Sequence, residues 1–132
     1  MGGREALTIS SVSGSLNGAY TVGVVNTAST RSAAIYYFAN SAAGSETVTF
    51  TFSGSITTGA IVACQEWSGA ATSMVLDQTA TADNTTATSH SFGSITASAS
   101  AGLVIGVCCI NTSIASKTAG SGFTALSDAG NT

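Results

Sequence analysis

Charge is the property that this sequence has least of. Three basic and six acidic residues make up 7% of its 132 residues, where an ordinary soluble domain carries about 25%. Three cations cannot form the basic stripe that neutralises phosphates, which argues against nucleic-acid binding. The same shortage leaves no polybasic segment for anionic lipid, and no apolar run reaches the ~18–20 residues that span a bilayer. We therefore expect neither nucleic acid nor membrane as a partner.

Proline is absent, and histidine occurs once. Without proline, and with a single lysine, the chain lacks the residues that usually stop edge strands from pairing with other chains. The one histidine, His90, rules out a histidine metal cluster, and no G-x-S-x-G motif accompanies it for nucleophilic catalysis. We interpret His90 as a polar strand residue, and we expect no catalytic residue, metal or cofactor.

The three cysteines, Cys64, Cys108 and Cys109, form an odd set without a C-x-x-C motif, so they encode neither a disulfide framework nor a zinc knuckle. Adjacent residues of a strand point to opposite faces, so at most one of Cys108 and Cys109 can meet Cys64. We expect free, buried cysteines, since unpaired cysteine behaves as a small hydrophobe. A bridge from Cys64 to one of the adjacent pair remains the alternative.

The acidic residues offer weak candidates for chemistry. Glu66 and Asp77 lie closest to apolar and aromatic residues, but eleven residues of separation does not predict the paired geometry of a glycosidase. We interpret Glu66 as a hydrogen-bonded structural carboxylate. Asp77, Asp83 and Asn84 match no calcium-loop pattern, and Asp and Asn are common in turns for their own backbone hydrogen bonds.

Strand-like alternation dominates the chain. Residues 46–52 place Val48, Phe50 and Phe52 on one face and threonines on the other, which predicts a half-buried antiparallel strand. The other predicted strands are 6–12, 19–25, 33–39, 60–67, 89–96 and 103–110. Gly, Ser and Asn clusters separate them, and no segment shows helical spacing. We predict an all-β, antiparallel sandwich or jelly roll of about seven to nine strands.

The chain is predicted to form one domain over residues 1–132, with a short arm at 1–5 and a tail at 125–132. Asn17-Gly18 predicts a two-residue type I′ hairpin between the first two strands, because that turn requires positive φ at both central residues. The segments 60–67 and 103–110 are apolar on both faces. They are expected to lie centrally in their sheets or under a partner.

Three aromatic residues are the candidates for a binding surface. Tyr36, Tyr37 and Trp67 could stack on sugar rings, although Tyr36 and Tyr37 must face opposite sides of one strand. We favour packing in the core or at an interface for all three. An exposed coplanar pair would favour glycan binding instead.

Several segments together resemble a little-characterised β-sandwich module that recurs in large bacterial surface proteins and in phage structural proteins. The resemblance covers about residues 9–124 and is carried by residues 35–40, 48–55, 66–69, 76–77 and 120–124. It implies adhesion, binding or structural roles and no catalytic residues. Such modules usually have further strands at both ends, so completion by a neighbouring subunit is one expectation.

These observations lead to two functional expectations. The first is a non-enzymatic structural protein of a virion, a capsid decoration or cement protein that binds capsid subunits and its own copies, for example as a trimer. It follows from the low charge, the unprotected strand edges and a start at Met1 without an export signal. The alternative is a carbohydrate-binding or adhesive module of a larger bacterial protein, secreted or on the cell surface.

Overall fold

The computed structural model describes residues 7–28, 31–57, 59–83, 89–98, 102–109 and 118–125. The predicted arm at 1–5 lies outside these ranges, as does the predicted tail apart from residue 125. Five β-strands and no helix occur in the described ranges, which confirms the all-β prediction. Consequently no helix there is available to cross a membrane. The strands are β1 Ile9–Gly14, β2 Gly18–Ala19, β3 Thr21–Ala28, β4 Arg31–Tyr37 and β5 Val48–Phe52.

The strands form two antiparallel sheets. The first has the order β2-β1-β5, and the second consists of β3 and β4. The Tyr36 hydroxyl on β4 donates a hydrogen bond of 3.0 Å to the Ile9 carbonyl on β1, which ties one sheet to the other. This side-chain hydrogen bond therefore helps to hold the two sheets together.

The pairing of β1 with β5 follows the alternation read from the sequence. Val48, Phe50 and Phe52 are half-buried while Thr49 and Thr51 are exposed, as predicted. Opposite Phe50 lies Val12, the one hydrophobic residue that is buried in the described ranges, at 2% exposure. The best-covered point of the fold is therefore the middle of the β1–β5 ladder.

The hairpin between β1 and β2 differs from the predicted form. Gly14 pairs with Gly18, so the connection is the three-residue turn 15–17, and only Gly18 has positive φ, at 79°. A type I′ turn would need positive φ at Asn17 as well. Asn17 instead has its amide and side chain engaged elsewhere, which favours a three-residue turn that closes on a left-handed glycine.

The predicted strands at 60–67, 89–96 and 103–110 are not seen as strands where the structure describes them. Residues 59–83 and 102–109 contain no backbone-to-backbone hydrogen bond. An alternating or apolar sequence favours an extended backbone, but a strand also requires a partner at hydrogen-bonding distance. The strands that the structure describes therefore number five, and the described parts of these three segments add none.

Candidate interaction surface

Little of the apolar surface is covered. Besides the buried Val12, sixteen large hydrophobic residues in the described ranges are exposed. Extended patches of exposed apolar residues mark interaction surfaces in soluble proteins.

The exposed hydrophobic residues concentrate in two segments. One is residues 60–67, which include Ile61 and Val62, and the other is residues 102–109. Within the second segment, Leu103, Ile105 and Val107 are between 43% and 51% exposed. The sequence predicts residues 60–67 and 103–110 to be central strands or to be covered by a partner, and the structure shows residues 60–67 and 102–109 exposed.

An open groove of about 350 Å³ lies where the two segments meet the C-terminal region. Trp67 and Phe123 supply its aromatic rings and are 46% and 56% exposed. The residues lining this groove, none of them charged, are Trp67, Gly102, Leu103, Val104, Gly122, Phe123 and Thr124. Its surface is suited to apolar or stacking contacts rather than to ionic recognition.

The three aromatic residues proposed as a sugar-binding surface do not come together as a stacking platform. Tyr36 and Tyr37 are half-buried on β4, with Tyr36 held through its hydroxyl, while Trp67 is exposed at the groove. In the described ranges the one ring–ring contact joins Tyr20 and Phe38, whose centroids are 5.6 Å apart at 51°. No coplanar exposed pair therefore arises from Tyr36, Tyr37 and Trp67 there.

A polar cluster around Glu46 lies at the turn between β1 and β2. The Asn17 backbone amide donates to Glu46 Oε1 at 3.0 Å, and the Asn17 side-chain amide and the Tyr20 hydroxyl donate to Oε2. Asn17 Oδ1 in turn accepts the Ala42 amide at 2.8 Å. A Cβ at Gly14 would collide with Glu46 Oε1, so the close approach requires glycine there. We call Asn17, Tyr20, Ala42 and Glu46 the Glu46 cluster.

These bonds determine the protonation of the cluster. Desolvation acts to raise the pKa of Glu46, but the bonds donated by Asn17 and Tyr20 outweigh it and hold the pKa below its ordinary value of 4.5. Desolvation, the hydrogen bond to Glu46 and that carboxylate's charge raise the pKa of Tyr20. Elsewhere, the Ser98 amide and hydroxyl lower the pKa of Asp77 below its ordinary 3.8. Both carboxyls are therefore favoured in their ionised form.

The stability of the folded chain should consequently depend on pH. A pKa that is lowered by folding contributes stability that is complete above the unfolded-state pKa and is lost as the pH falls through the folded-state pKa. We expect the urea midpoint to be level from pH 7 to about pH 5 and to fall below that, as Glu46 and Asp77 protonate. The Glu46→Gln/Asp77→Asn double variant should show a flatter profile over the acidic range. If the urea midpoint of that variant fell with pH as steeply as that of the wild-type chain, Glu46 and Asp77 would not be the source of the acid sensitivity.

Two of the remaining polar candidates, Glu66 and Asp83, accept hydrogen bonds from residues distant in sequence. Glu66 accepts a 3.0 Å bond from the Ser41 hydroxyl, and Asp83 accepts one of 3.0 Å from the Asn26 side chain. His90 is exposed, and Asn84 lies outside the described ranges. No group of three or more His, Cys, Asp or Glu side chains that could hold a metal ion occurs in the part of the chain that the structure describes.

The exposure of the three cysteines contradicts the prediction that they are buried. Cys64, Cys108 and Cys109 are free, but all three are exposed, so the expectation of buried cysteines is wrong for this chain. The reason is that two of the apolar segments hold them, and nothing in the described ranges covers those segments. A disulfide from Cys64 is not formed.

Comparisons with known proteins add no relative. No family model matches the chain, and neither the curated proteins nor the solved structures include a match. The resemblance to β-sandwich modules therefore stays a prediction from the residues that carry it.

The Glu46 cluster could not be found from the sequence, because its bonded partners lie 25 to 29 residues apart along the chain. No spacing rule links residues at that distance.

Proposed function

We propose that this chain is a non-enzymatic structural subunit of a virion, a capsid decoration or cement protein that binds capsid subunits and other copies of itself. One observation carries the proposal. Among the described residues, two apolar segments, 60–67 and 102–109, lie exposed and have no backbone partner, and Val12 is the one buried hydrophobic residue. A subunit that functions in an assembly can leave such segments for its neighbours to cover.

The exposed apolar residues lie on more than one segment. In the described ranges, large hydrophobic side chains are exposed within 60–67, within 102–109 and at Phe123. A standard interface buries about 800 Å² of each partner, so separate segments can serve separate contacts. More than one neighbour per subunit is therefore proposed, as a closed trimer bound to a capsid surface would provide.

The finer fold belongs to the same proposal. An antiparallel sandwich or jelly roll of seven to nine strands would form when the segments at 60–67, 89–96 and 102–109 acquire strand partners. Backbone pairing would satisfy their amides and carbonyls, and each buried Val, Leu or Ile side chain would add roughly 1.5–3 kcal/mol. Assembly and completion of the fold would then be one process.

Light scattering after size-exclusion chromatography tests the assembly. We expect a discrete oligomer with a mass that is a multiple of 12.9 kDa, three copies in the proposed arrangement. A monodisperse monomer at high micromolar concentration would remove the basis of the proposal. Mass spectrometry of purified virus particles from the source culture should also detect the chain in fixed stoichiometry to the capsid protein.

Carbohydrate binding is a second candidate, and the exposed indole of Trp67 beside Phe123 favours it. An aromatic face open to solvent can stack on a sugar ring. Electrophoresis through gels containing polysaccharide separates the two proposals. A monomer that is retarded, and that loses retardation on Trp67→Ala but not on Tyr36→Phe, would favour an adhesive module over a virion subunit.

A further inference from the structure

Cys108 and Cys109 are adjacent free thiols, and both side chains are exposed. The backbone of residues 102–109 makes no hydrogen bond to another backbone group of the described chain, and Arg31 Nη1 donates to the Cys109 carbonyl at 3.4 Å. Exposed cysteines react with small disulfides through their thiolate form. A second thiol beside the first can carry that reaction to an internal disulfide, which a lone cysteine cannot do.

Arg31 brings a positive charge to this pair. Its guanidinium contacts the Cys109 carbonyl, and its Nε is buried without a hydrogen-bond partner. Among the described residues, no carboxylate forms an ion pair with this partly exposed side chain. A guanidinium whose charge has no internal partner attracts carboxylates from solution. An anionic reagent is therefore drawn to the end of the segment at which Cys109 lies.

Cys64 lies in the opposite electrostatic setting. Its charge and that of Glu66 both act on the Tyr20 hydroxyl, which donates a hydrogen bond to Glu46. Two carboxylates therefore lie in the neighbourhood of this thiol, and they repel an anionic reagent. The chain thus contains an exposed thiol in acidic surroundings and an exposed pair beside a cation, which makes Cys64 an internal comparison for the pair.

We propose that Cys108 and Cys109 form a reversible redox site whose oxidant is a small disulfide bearing carboxylates, such as oxidised glutathione, attracted by Arg31. The Cys109 thiolate attacks one sulfur of the disulfide, and the first thiolate leaves and takes up the proton that Cys109 lost. The Cys108 thiolate then attacks the Cys109 sulfur and releases the second thiol in the same way. Two cysteine thiols are oxidised to one disulfide, and the small disulfide is reduced to two thiols.

The second step requires the backbone to turn. Adjacent side chains of an extended strand point to opposite faces, and adjacent Cα atoms lie about 3.8 Å apart, closer than the roughly 4.4–6.8 Å of ordinary disulfides. A strand ladder would resist the turn, but residues 102–109 have none in the described chain. Strained disulfides are easily reduced, which makes the oxidation reversible.

Treatment of the Cys64→Ser chain with excess oxidised glutathione tests the pair, because this variant keeps only the two adjacent thiols. Mass spectrometry should show a single chain that has lost two hydrogens, with a disulfide between Cys108 and Cys109 that reduced glutathione reverses. Adding Cys108→Ser should stop the reaction at a glutathione adduct on Cys109. A lasting adduct on the two-thiol chain, a disulfide between chains or no reaction would overturn the redox pair.

The contribution of Arg31 is measured by comparing two oxidants, oxidised glutathione and the neutral hydroxyethyl disulfide. In the Cys64→Ser background, Arg31→Gln should slow oxidation by glutathione about fivefold at low salt and leave oxidation by the neutral reagent unchanged. Arg31→Lys should retain most of the preference, and about 0.5 M salt should abolish it. Equal slowing with both reagents would show that Arg31 only holds the segment, and would overturn its role in attracting the oxidant.

The chain with Cys108→Ser and Cys109→Ser keeps Cys64 alone and supplies the matched comparison. Its ratio of rates with oxidised glutathione and with hydroxyethyl disulfide should be about tenfold lower than that of the adjacent pair. Equal ratios would overturn the preference for an anionic oxidant. These readouts do not depend on the number of copies in an assembly, so their failure would leave the proposed virion role standing.

Discussion

The Val12→Asp variant is expected to lose cooperative unfolding altogether. Val12 is 2% exposed, at the centre of the β1–β5 ladder, and neither strand contains a basic residue that could pair with a carboxylate. An unpaired buried charge costs more than about 3 kcal/mol. Because a typical domain has only about 5–15 kcal/mol of stability, and this chain covers few other apolar residues, we expect the loss to exceed what remains.

Urea titration followed by far-ultraviolet circular dichroism measures this effect. The milder Val12→Ala variant should lower the free energy of unfolding by roughly 1.5–3 kcal/mol, which is the value of burying a valine side chain. Val22→Ala is the matched control, because Val22 is 48% exposed on β3. The Val22→Ala variant should lower the free energy of unfolding by much less than Val12→Ala. Equal losses for the two alanine variants would show that β1–β5 is not the stabilising centre.

At neutral pH, replacing Asn17 by aspartate is expected to lower the stability of the folded chain more than replacing it by alanine. Alanine removes the side-chain bond to Glu46 and the bond from the Ala42 amide, of which the second alone is worth roughly 0.5–1.5 kcal/mol. Aspartate keeps an oxygen for the Ala42 amide but places a second carboxylate against Glu46. Like charges at hydrogen-bonding distance repel. The urea midpoint at pH 7 should therefore be highest for the wild-type chain, lower for Asn17→Ala and lowest for Asn17→Asp.

Measurements at acidic pH distinguish carboxylate repulsion in Asn17→Asp from the simple loss of hydrogen bonds in Asn17→Ala. Below about pH 4 one carboxyl of the pair can hold a proton and donate to the other, so Asn17→Asp should approach or pass Asn17→Ala in stability. The comparison is made between the two variants at each pH, which cancels the shared contribution of Asp77. A constant difference from pH 7 to pH 3 would show that the two carboxylates do not face each other.

The β1–β5 ladder and the first turn show how far local pattern predicts this fold. Alternation in 48–52 determines which side chains face inward, because successive strand residues point to opposite faces. The form of the turn is predicted less well. A three-residue turn takes the place of the two-residue one, since Glu46 binds the Asn17 amide and Ala42 binds its side chain. Those partners are distant in sequence and cannot be read from the turn itself.

The shortage of charge, the absence of proline and the strand periodicity are sequence properties, and they suffice to predict an all-β chain with unprotected edges. Which edges stay unpaired is decided by the tertiary structure. Backbone hydrogen bonds bring β1 to β5 and β3 to β4, whereas residues 102–109 find no backbone partner in the described chain. Pattern determines the face that a side chain occupies, but pairing depends on which segments meet in space, and that depends on contacts far apart in sequence.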